Sequence, residues 1–196
     1  MADLIFYAGV MGSSKTAHAL MTRFQYTERG KKVWLIKPDT DTRDPSKLLG
    51  KEDAKILVRS RIGLEAWADV ISTEDHIGPP IVTNLIICDE AQFLTPSQVE
   101  ELKMIADTRG MDVFCYGLKT DFKTYLFPGS KRLLELASKV IELPVICDCG
   151  NKAVVNARLA NGNVVDEGEL IDIGGDEKYK AFCYACWKRK LAGGNI

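Results

Sequence analysis

Ile5-Phe6-Tyr7-Ala8-Gly9-Val10-Met11-Gly12-Ser13-Ser14-Lys15-Thr16 is the stretch whose reading decides the fold. An apolar run ends at Gly9, a loop of small residues follows, and Lys15-Thr16 opens a helical pattern. This is the order of a phosphate-binding P-loop. In that motif the loop amides cradle phosphate oxygens, the lysine reaches the terminal phosphates, and the hydroxyl sits beside magnesium. Gly9, Lys15 and Thr16 match the template and Gly12 keeps the loop permissive. Ser14 stands where a second glycine is expected, and glycine there lets the backbone approach phosphate without a Cβ in the way. The plainer alternative is a Gly-Ser turn leading into an ordinary helix; the strand before it and the helix after it speak for the phosphate loop.

Working outward, 196 residues with 46% hydrophobic content suit one compact domain with a small appendage. A net charge of −1 offers no basic field for nucleic acid and no acidic excess of the kind that disorders a chain. The N-terminal Met1-Ala2-Asp3-Leu4-Ile5 has no cationic, long-apolar leader pattern, and no apolar run approaches the ~20 residues of a membrane helix. The expectation is a cytoplasmic enzyme with no membrane or nucleic-acid partner.

Helical spacing of Ala17, Leu20, Met21 and Phe24 predicts a helix from Lys15, closed at Arg29-Gly30. Val33-Trp34-Leu35-Ile36, Leu85-Ile86-Ile87-Cys88, Val113-Phe114-Cys115-Tyr116 and a run from Val140 to Leu143 read as strands, with a shorter one at 68–71. Ser60-Arg61-Ile62-Gly63 reads as a loop. Thr95 caps a helix that begins at Pro96 and carries Val99, Leu102 and Ile105 on one face, and a further helix is expected over 130–137. Strands apolar along their whole length, alternating with helices, predict an α/β fold: a parallel sheet covered on both faces. After Pro144 the pattern changes to close cysteine pairs and short β-like runs without a long helix. The expected division is therefore 1–143 and 144–196.

Three groups carry candidate chemistry. Asp89-Glu90 ends an apolar strand, where a P-loop protein places a carboxylate on the magnesium side and a general base beside it; a solvated strand corner is the alternative. Cys147-x-Cys149 and Cys183-x-x-Cys186, separated by 33 residues, suit a closed tetrahedral zinc site that staples a segment too small for its own core. A disulfide is the alternative, disfavoured in a reducing compartment. Cys88 and Cys115 lie in apolar runs and read as inert core thiols. Asp41-Thr42-Arg43 follows the second strand and could address phosphate or an acceptor hydroxyl, although such a triplet is usually plain surface. His18 and His76 show no partner pattern.

Several segments, in order, resemble the type II thymidine kinases, a tetrameric family of bacterial, phage and animal enzymes. They are the loop from Gly9 to Thr16, Glu28-Arg29-Gly30, Asp41-Thr42-Arg43, Ser60-Arg61-Ile62-Gly63 and Asp89-Glu90-Ala91-Gln92-Phe93-Leu94. Tyr116-Gly117-Leu118-Lys119-Thr120-Asp121-Phe122, the cysteine pairs and the segment from Asp166-Glu167-Gly168-Glu169 to Ile173-Gly174-Gly175-Asp176-Glu177-Lys178-Tyr179 complete the set. The likeness spans nearly the whole chain and is nearer to the bacterial and phage branch. It implies a RecA-like P-loop domain followed by a zinc-containing lasso domain. The implied reaction moves the ATP γ-phosphoryl group, with Mg2+, to the 5′-hydroxyl of thymidine.

The resemblance further implies that Glu90 is the general base. ATP would be held by Gly9, Val10, Met11, Gly12, Ser13, Ser14, Lys15 and Thr16, with Asp41, Thr42, Arg43, Asp89, Glu90, Ala91 and Gln92. Thymidine would meet Met11, Leu118, Phe122 and Tyr179 and the lasso Leu170-Ile171-Asp172-Ile173-Gly174, with Phe122 stacked on the base. Cys147, Cys149, Cys183 and Cys186 would hold structural Zn2+, and four chains would assemble as a homotetramer. Two positions depart from the family pattern: Ser14 replaces its glycine, and Tyr184 stands where arginine often follows the third cysteine. Two rivals remain open on sequence, a non-catalytic thymidine- or nucleotide-binding protein and a P-loop ATPase acting on nucleic acid.

Overall fold

Each buried apolar run becomes a strand because only a sheet with both faces covered can hold side chains of both parities out of water. A computed structural model of the chain describes residues 2–39, 55–167 and 178–193. Within it a seven-stranded sheet has the order β3-β4-β2-β5-β6-β1-β7. The strands are β1 (Leu4–Ala8), β2 (Val33–Pro38), β3 (Lys55–Arg59), β4 (Glu65–Ile71), β5 (Leu85–Cys88), β6 (Asp112–Gly117) and β7 (Lys139–Glu142). Pairing is parallel from β4 through β7, and β3 alone runs antiparallel, on β4. The expected parallel sheet is thus present, with one antiparallel edge strand, β3, that the sequence pattern does not announce, and the pattern covers only the end of β4. The loop expected at 60–63 is the turn of that hairpin, with Gly63 at φ 83°.

Helices cover both faces, as the pattern requires. Helix α1 (Lys15–Glu28) lays Ala19 and Leu20 on one face, against Ile5, Leu35, Ile87 and Phe114. Helix α2 (Pro96–Arg109) and helix α3 (Pro128–Leu136) cover the other, where Val99, Leu102, Ile105 and Leu133 meet Leu4, Phe6, Ile86 and Val113. Thr95 caps α2 as expected: its hydroxyl accepts from the Gln98 amide, and the Gln98 side chain accepts from the Thr95 amide. Helix α3 starts earlier than the apolar spacing suggests because Pro128 pre-sets the first turn. Met21 and Phe24, expected on the buried stripe of α1, are instead 48% and 62% exposed.

Beyond residue 144, β8 (Val155–Ala160), β9 (Asn163–Val165) and β10 (Tyr179–Phe182) form a separate antiparallel sheet of order β10-β8-β9. A two-turn helix, α4 (Tyr184–Leu191), closes on it through Trp187. The core of this unit combines Val155, Ala157, Phe182 and Trp187 with three of the close-paired cysteines, and also takes in Val10 from the phosphate loop. No helix among the described residues is long and apolar enough to cross a membrane.

Candidate functional site

The loop after β1 is shaped by what its backbone must avoid. A Cβ on Gly9 would lie 2.3 Å from the Ser13 hydroxyl and 2.9 Å from the Leu143 carbonyl oxygen, so only glycine fits there. Gly12 has φ 80°, and Ser14 is itself left-handed at φ 58° and ψ 27°. The residue that departs from the motif thus adopts the conformation that glycine adopts without cost. Lys15 folds back over the loop, its ammonium donating to the carbonyls of Gly9 (3.0 Å) and Val10 (2.9 Å) and to the Ser13 hydroxyl (3.3 Å). Those are the contacts a terminal phosphate would replace.

Strand β5 brings the acidic pair to the same edge. One strand, β6, separates β5 from β1, and Thr16 at the head of α1 donates to both Asp89 carboxylate oxygens at 3.2 and 3.3 Å. Asp89 is buried, and that burial, reinforced by the Glu90 charge, pushes its carboxyl up to about 6; Lys37, Lys15 and the Thr16 hydroxyl pull the other way. Lys37, 9% exposed at the end of β2, is a functional candidate that sequence reasoning passes over. The available signal is a lysine closing an apolar strand just before a proline.

Glu90 leaves the strand in a left-handed conformation, φ 53° and ψ 39°, and a single 3-10 turn (Ala91–Phe93) follows. That kink returns the Gln92 side chain toward Glu90. The Gln92 amide donates to Glu90 Oε2 at 2.6 Å, while its Oε1 accepts from the Leu118 backbone N–H at 3.1 Å. A Cβ on Gly117 would fall 2.8 Å from Gln92 Oε1, so the glycine ending β6 makes room for this bridge. Ala91 is fully buried in the core, and the Gln92 side chain is committed to Glu90 and Leu118. Both are expected among the ATP-binding residues.

The segment after β6 is held by its own hydrogen bonds. Asp121 accepts from the amides of Lys123 (2.8 Å) and Tyr125 (2.9 Å), and the Ser130 hydroxyl donates to the Leu118 carbonyl. Phe122 is buried, with the Arg158 guanidinium 5.5 Å from its ring centroid and Lys123 at 5.6 Å. Arg158 pairs across the small sheet with Tyr179, so the expected thymidine residues Phe122 and Tyr179 are brought to one neighbourhood. Met11 joins them through Asn156, which accepts from the Met11 amide at 2.7 Å and donates to the Thr120 carbonyl at 3.1 Å. Asp41, Thr42 and Arg43, and Leu170, Ile171, Asp172, Ile173 and Gly174, lie outside the described residues.

The four cysteines converge. Their sulfurs all lie within 4.8 Å of one another, and Cys149 and Cys183 are 3.6 Å apart. Tetrahedral thiolate ligands about 2.3 Å from zinc stand roughly 3.8 Å apart, so the cluster has the size the metal needs. The cysteines are free rather than disulfide-bonded. The Asn151 backbone N–H, then the neighbouring thiols, pull Cys149 down to about 6. Cys186 is pushed up to about 12 by sharing hydrogen bonds with Cys149 and Cys183. A divalent cation would resolve that competition by letting all four ionise. Cys88 and Cys115 are buried core thiols as expected, and burial pushes Cys115 up to about 12.

His18, which has no visible partner in the sequence, meets the Tyr116 hydroxyl at 3.0 Å through Nδ1, and Tyr116 stacks on Tyr7 with centroids 4.6 Å apart. This network pins α1 to the strands beneath it.

Comparison with known proteins bears on the chain as a whole. The family model described as Thymidine kinase matches residues 2–187. A thymidine kinase of Enterobacteria phage T4 is 40% identical over 195 residues, 95% of this chain and 96% of that protein. Thymidine kinases of Zymomonas mobilis (39%, covering 97% of this chain and 98% of that one) and Encephalitozoon cuniculi (39%, 96% and 88%) are similarly related. Among solved structures, the large terminase of a thermophilic bacteriophage superposes over 72% of this chain and 40% of that one. With a TM-score of 0.41 and 13% identity, that likeness bears on neither fold nor function.

Proposed function

The chain belongs to the thymidine kinase family and is a thymidine kinase, and from that premise we propose how its residues divide the reaction. ATP is the donor and thymidine the acceptor. Residues 1–143 hold the donor phosphates and the general base, and residues 144–196 close over the acceptor. The bond from the γ-phosphorus to the ADP oxygen breaks as a bond to the thymidine 5′-oxygen forms. The hydroxyl proton passes to Glu90, leaving ADP and thymidine monophosphate. The carrying observation is the chain from Glu90 through Gln92 to the Leu118 amide. It fixes a partly exposed carboxylate between the phosphate loop and the segment leading to Phe122.

Lys15, the loop amides and Thr16 neutralise and align the γ-phosphate, which is most of what phosphoryl transfer asks of a protein. Asp89, already hydrogen-bonded to Thr16, would hold the Mg2+ that accompanies the donor, and the ion would supply positive charge against the phosphates. Met11, Leu118 and Phe122 form the base pocket, with Tyr179 and residues 170–174 as its lid, while Asp41, Thr42 and Arg43 join the ATP-binding set and Arg43 also helps hold the acceptor end. Cys147, Cys149, Cys183 and Cys186 hold zinc at the root of that lid, where a preorganised loop lowers the ordering cost of binding. We place the enzyme in the cytoplasm, a reading its six free cysteines favour, and assemble it as a homotetramer.

The test is a thymidine phosphorylation assay with ATP and Mg2+ on the parent and Glu90→Gln. Glu90→Gln should lower kcat by about 100-fold or more with KM for ATP little changed, since only proton acceptance is lost. Unchanged turnover would remove Glu90 as the base. ATP hydrolysis stimulated by DNA, without thymidine phosphorylation, would overturn the kinase reading itself.

A further inference from the structure

The phosphate loop is not free at its first half. Val10 inserts its side chain into the core of the cysteine-rich unit, beside Cys147, Val155 and Trp187, and is only 7% exposed. The next residue, Met11, gives its backbone N–H to Asn156 Oδ1 at 2.7 Å, across 145 positions of sequence. The same Asn156 donates Nδ2 to the Thr120 carbonyl at 3.1 Å, two residues before Phe122. Asn156 is 3% exposed. Its orientation is fixed by its neighbours, because one is an N–H that can only donate and the other a carbonyl that can only accept.

We infer that Asn156 is a positioning residue that couples the two substrate sites by clamping the phosphate loop at Met11 and the base-stacking segment at Thr120 to the cysteine-rich unit. The inference rests on the kinase reading for the identity of the two ligands. Three elements meet at one side chain: β8 carries it, the loop after β1 hangs from its oxygen, and the segment after β6 hangs from its amide nitrogen. A carboxamide suits this junction because it offers one acceptor and one donor in a single plane; an aspartate would set a second oxygen against the Thr120 carbonyl. Loss of a buried bridge leaves both backbone groups without partners, which weakens whatever those segments bind. Val10 supplies the apolar half of the same joint, so the loop cannot shift without disturbing the core around Trp187.

The experiment uses the full-length, zinc-loaded chain, comparing the parent with Asn156→Leu, of similar shape but unable to hydrogen-bond, and with Asn156→Ser, small and polar in case leucine prevents folding. Affinity for a fluorescent ATP analogue with Mg2+ is titrated without thymidine, and thymidine affinity is titrated calorimetrically without ATP; zinc content and Tm are measured alongside. The expected result is that both dissociation constants rise, each by about tenfold, at unchanged zinc content. Affinities within twofold of the parent would overturn the inference, as would a rise in only one of them. A lower Tm with unaltered affinity in the folded fraction would reduce Asn156 to ordinary packing and overturn it too. Because both readouts are binding constants, a parent that binds both ligands without turnover would count against the kinase reading and leave the role of Asn156 standing.

Discussion

At the scale of single residues, the site holds groups in conformations and ionisation states that cost the folded chain free energy. Ser14 and Glu90 both take left-handed backbone angles, which for residues with a Cβ cost on the order of 1 kcal/mol each. Ser14→Gly removes that strain but adds freedom to the unfolded chain, so the net gain should stay below about 1 kcal/mol, a rise in Tm of a few degrees. The ATP analogue should bind about threefold more tightly to the variant, because an exposed Cβ leaves the last loop position before Lys15; weaker binding would mean that the serine contributes a contact of its own. Asp89 makes a separate prediction. Its folded carboxyl is raised from 3.8 to about 6, so between those pH values the folded chain holds a proton that the unfolded chain has released. Stability must therefore fall as pH rises from about 4 to 6 and stay lower above that, by at most about 3 kcal/mol. Asp89→Asn should be more stable than the parent at pH 7.5, match it near pH 4, and be nearly inactive at both. Urea unfolding of the two proteins at three pH values measures this, and a pH-independent difference would discount the carboxyl's burial as its source.

At the scale of elements, the 3-10 turn after β5 shapes the proposed catalytic corner, because Gln92 can reach Glu90 and Leu118 only if the chain kinks at Glu90. Gln92→Leu should keep the fold, since Thr95 and Gln98 still cap α2, yet lower kcat about tenfold while leaving ATP affinity near the parent's. A parallel loss of ATP affinity would return Gln92 to the ATP-binding set. The same corner separates what a sequence conveys from what it hides. Strands β1, β2, β5 and β6 are legible because continuous apolar runs admit few other fates, and the Thr95 cap because its chemistry is local. The phosphate loop, the acidic pair and the cysteines are legible for the same reason. Strand β3 is not, since Lys55 to Arg59 mixes charged ends with a short apolar middle and pairs only at an edge. Asn156 and Lys37 are hidden because their partners lie far along the chain, and an isolated asparagine or lysine has no period to give it away.

At the scale of the whole molecule, two surfaces explain where sequence periodicity and burial part company. The apolar stripe of α1 runs from Ala17 through Phe24, but only Ala17, Ala19 and Leu20 are buried, leaving Met21 and Phe24 on the outside. At one edge of the sheet lies β7; Val140 and Ile141 are 45% and 37% exposed, and nothing pairs with its far side among the described residues. An unprotected edge with apolar side chains invites pairing with another chain, and two distinct patches per subunit suffice to build a closed four-chain assembly. In the proposed tetramer one patch would make each dimer and the other would join the dimers. Phe24→Glu should therefore split the assembly along one interface only, shifting the mass seen by light scattering from about 87 kDa, four chains of 21.7 kDa, to about half that. A proline at Val140, unable to donate across the edge, should act on the other interface, and the double variant should run as a single chain. A full-mass particle from Phe24→Glu would remove α1 from the assembly, whatever its exposure.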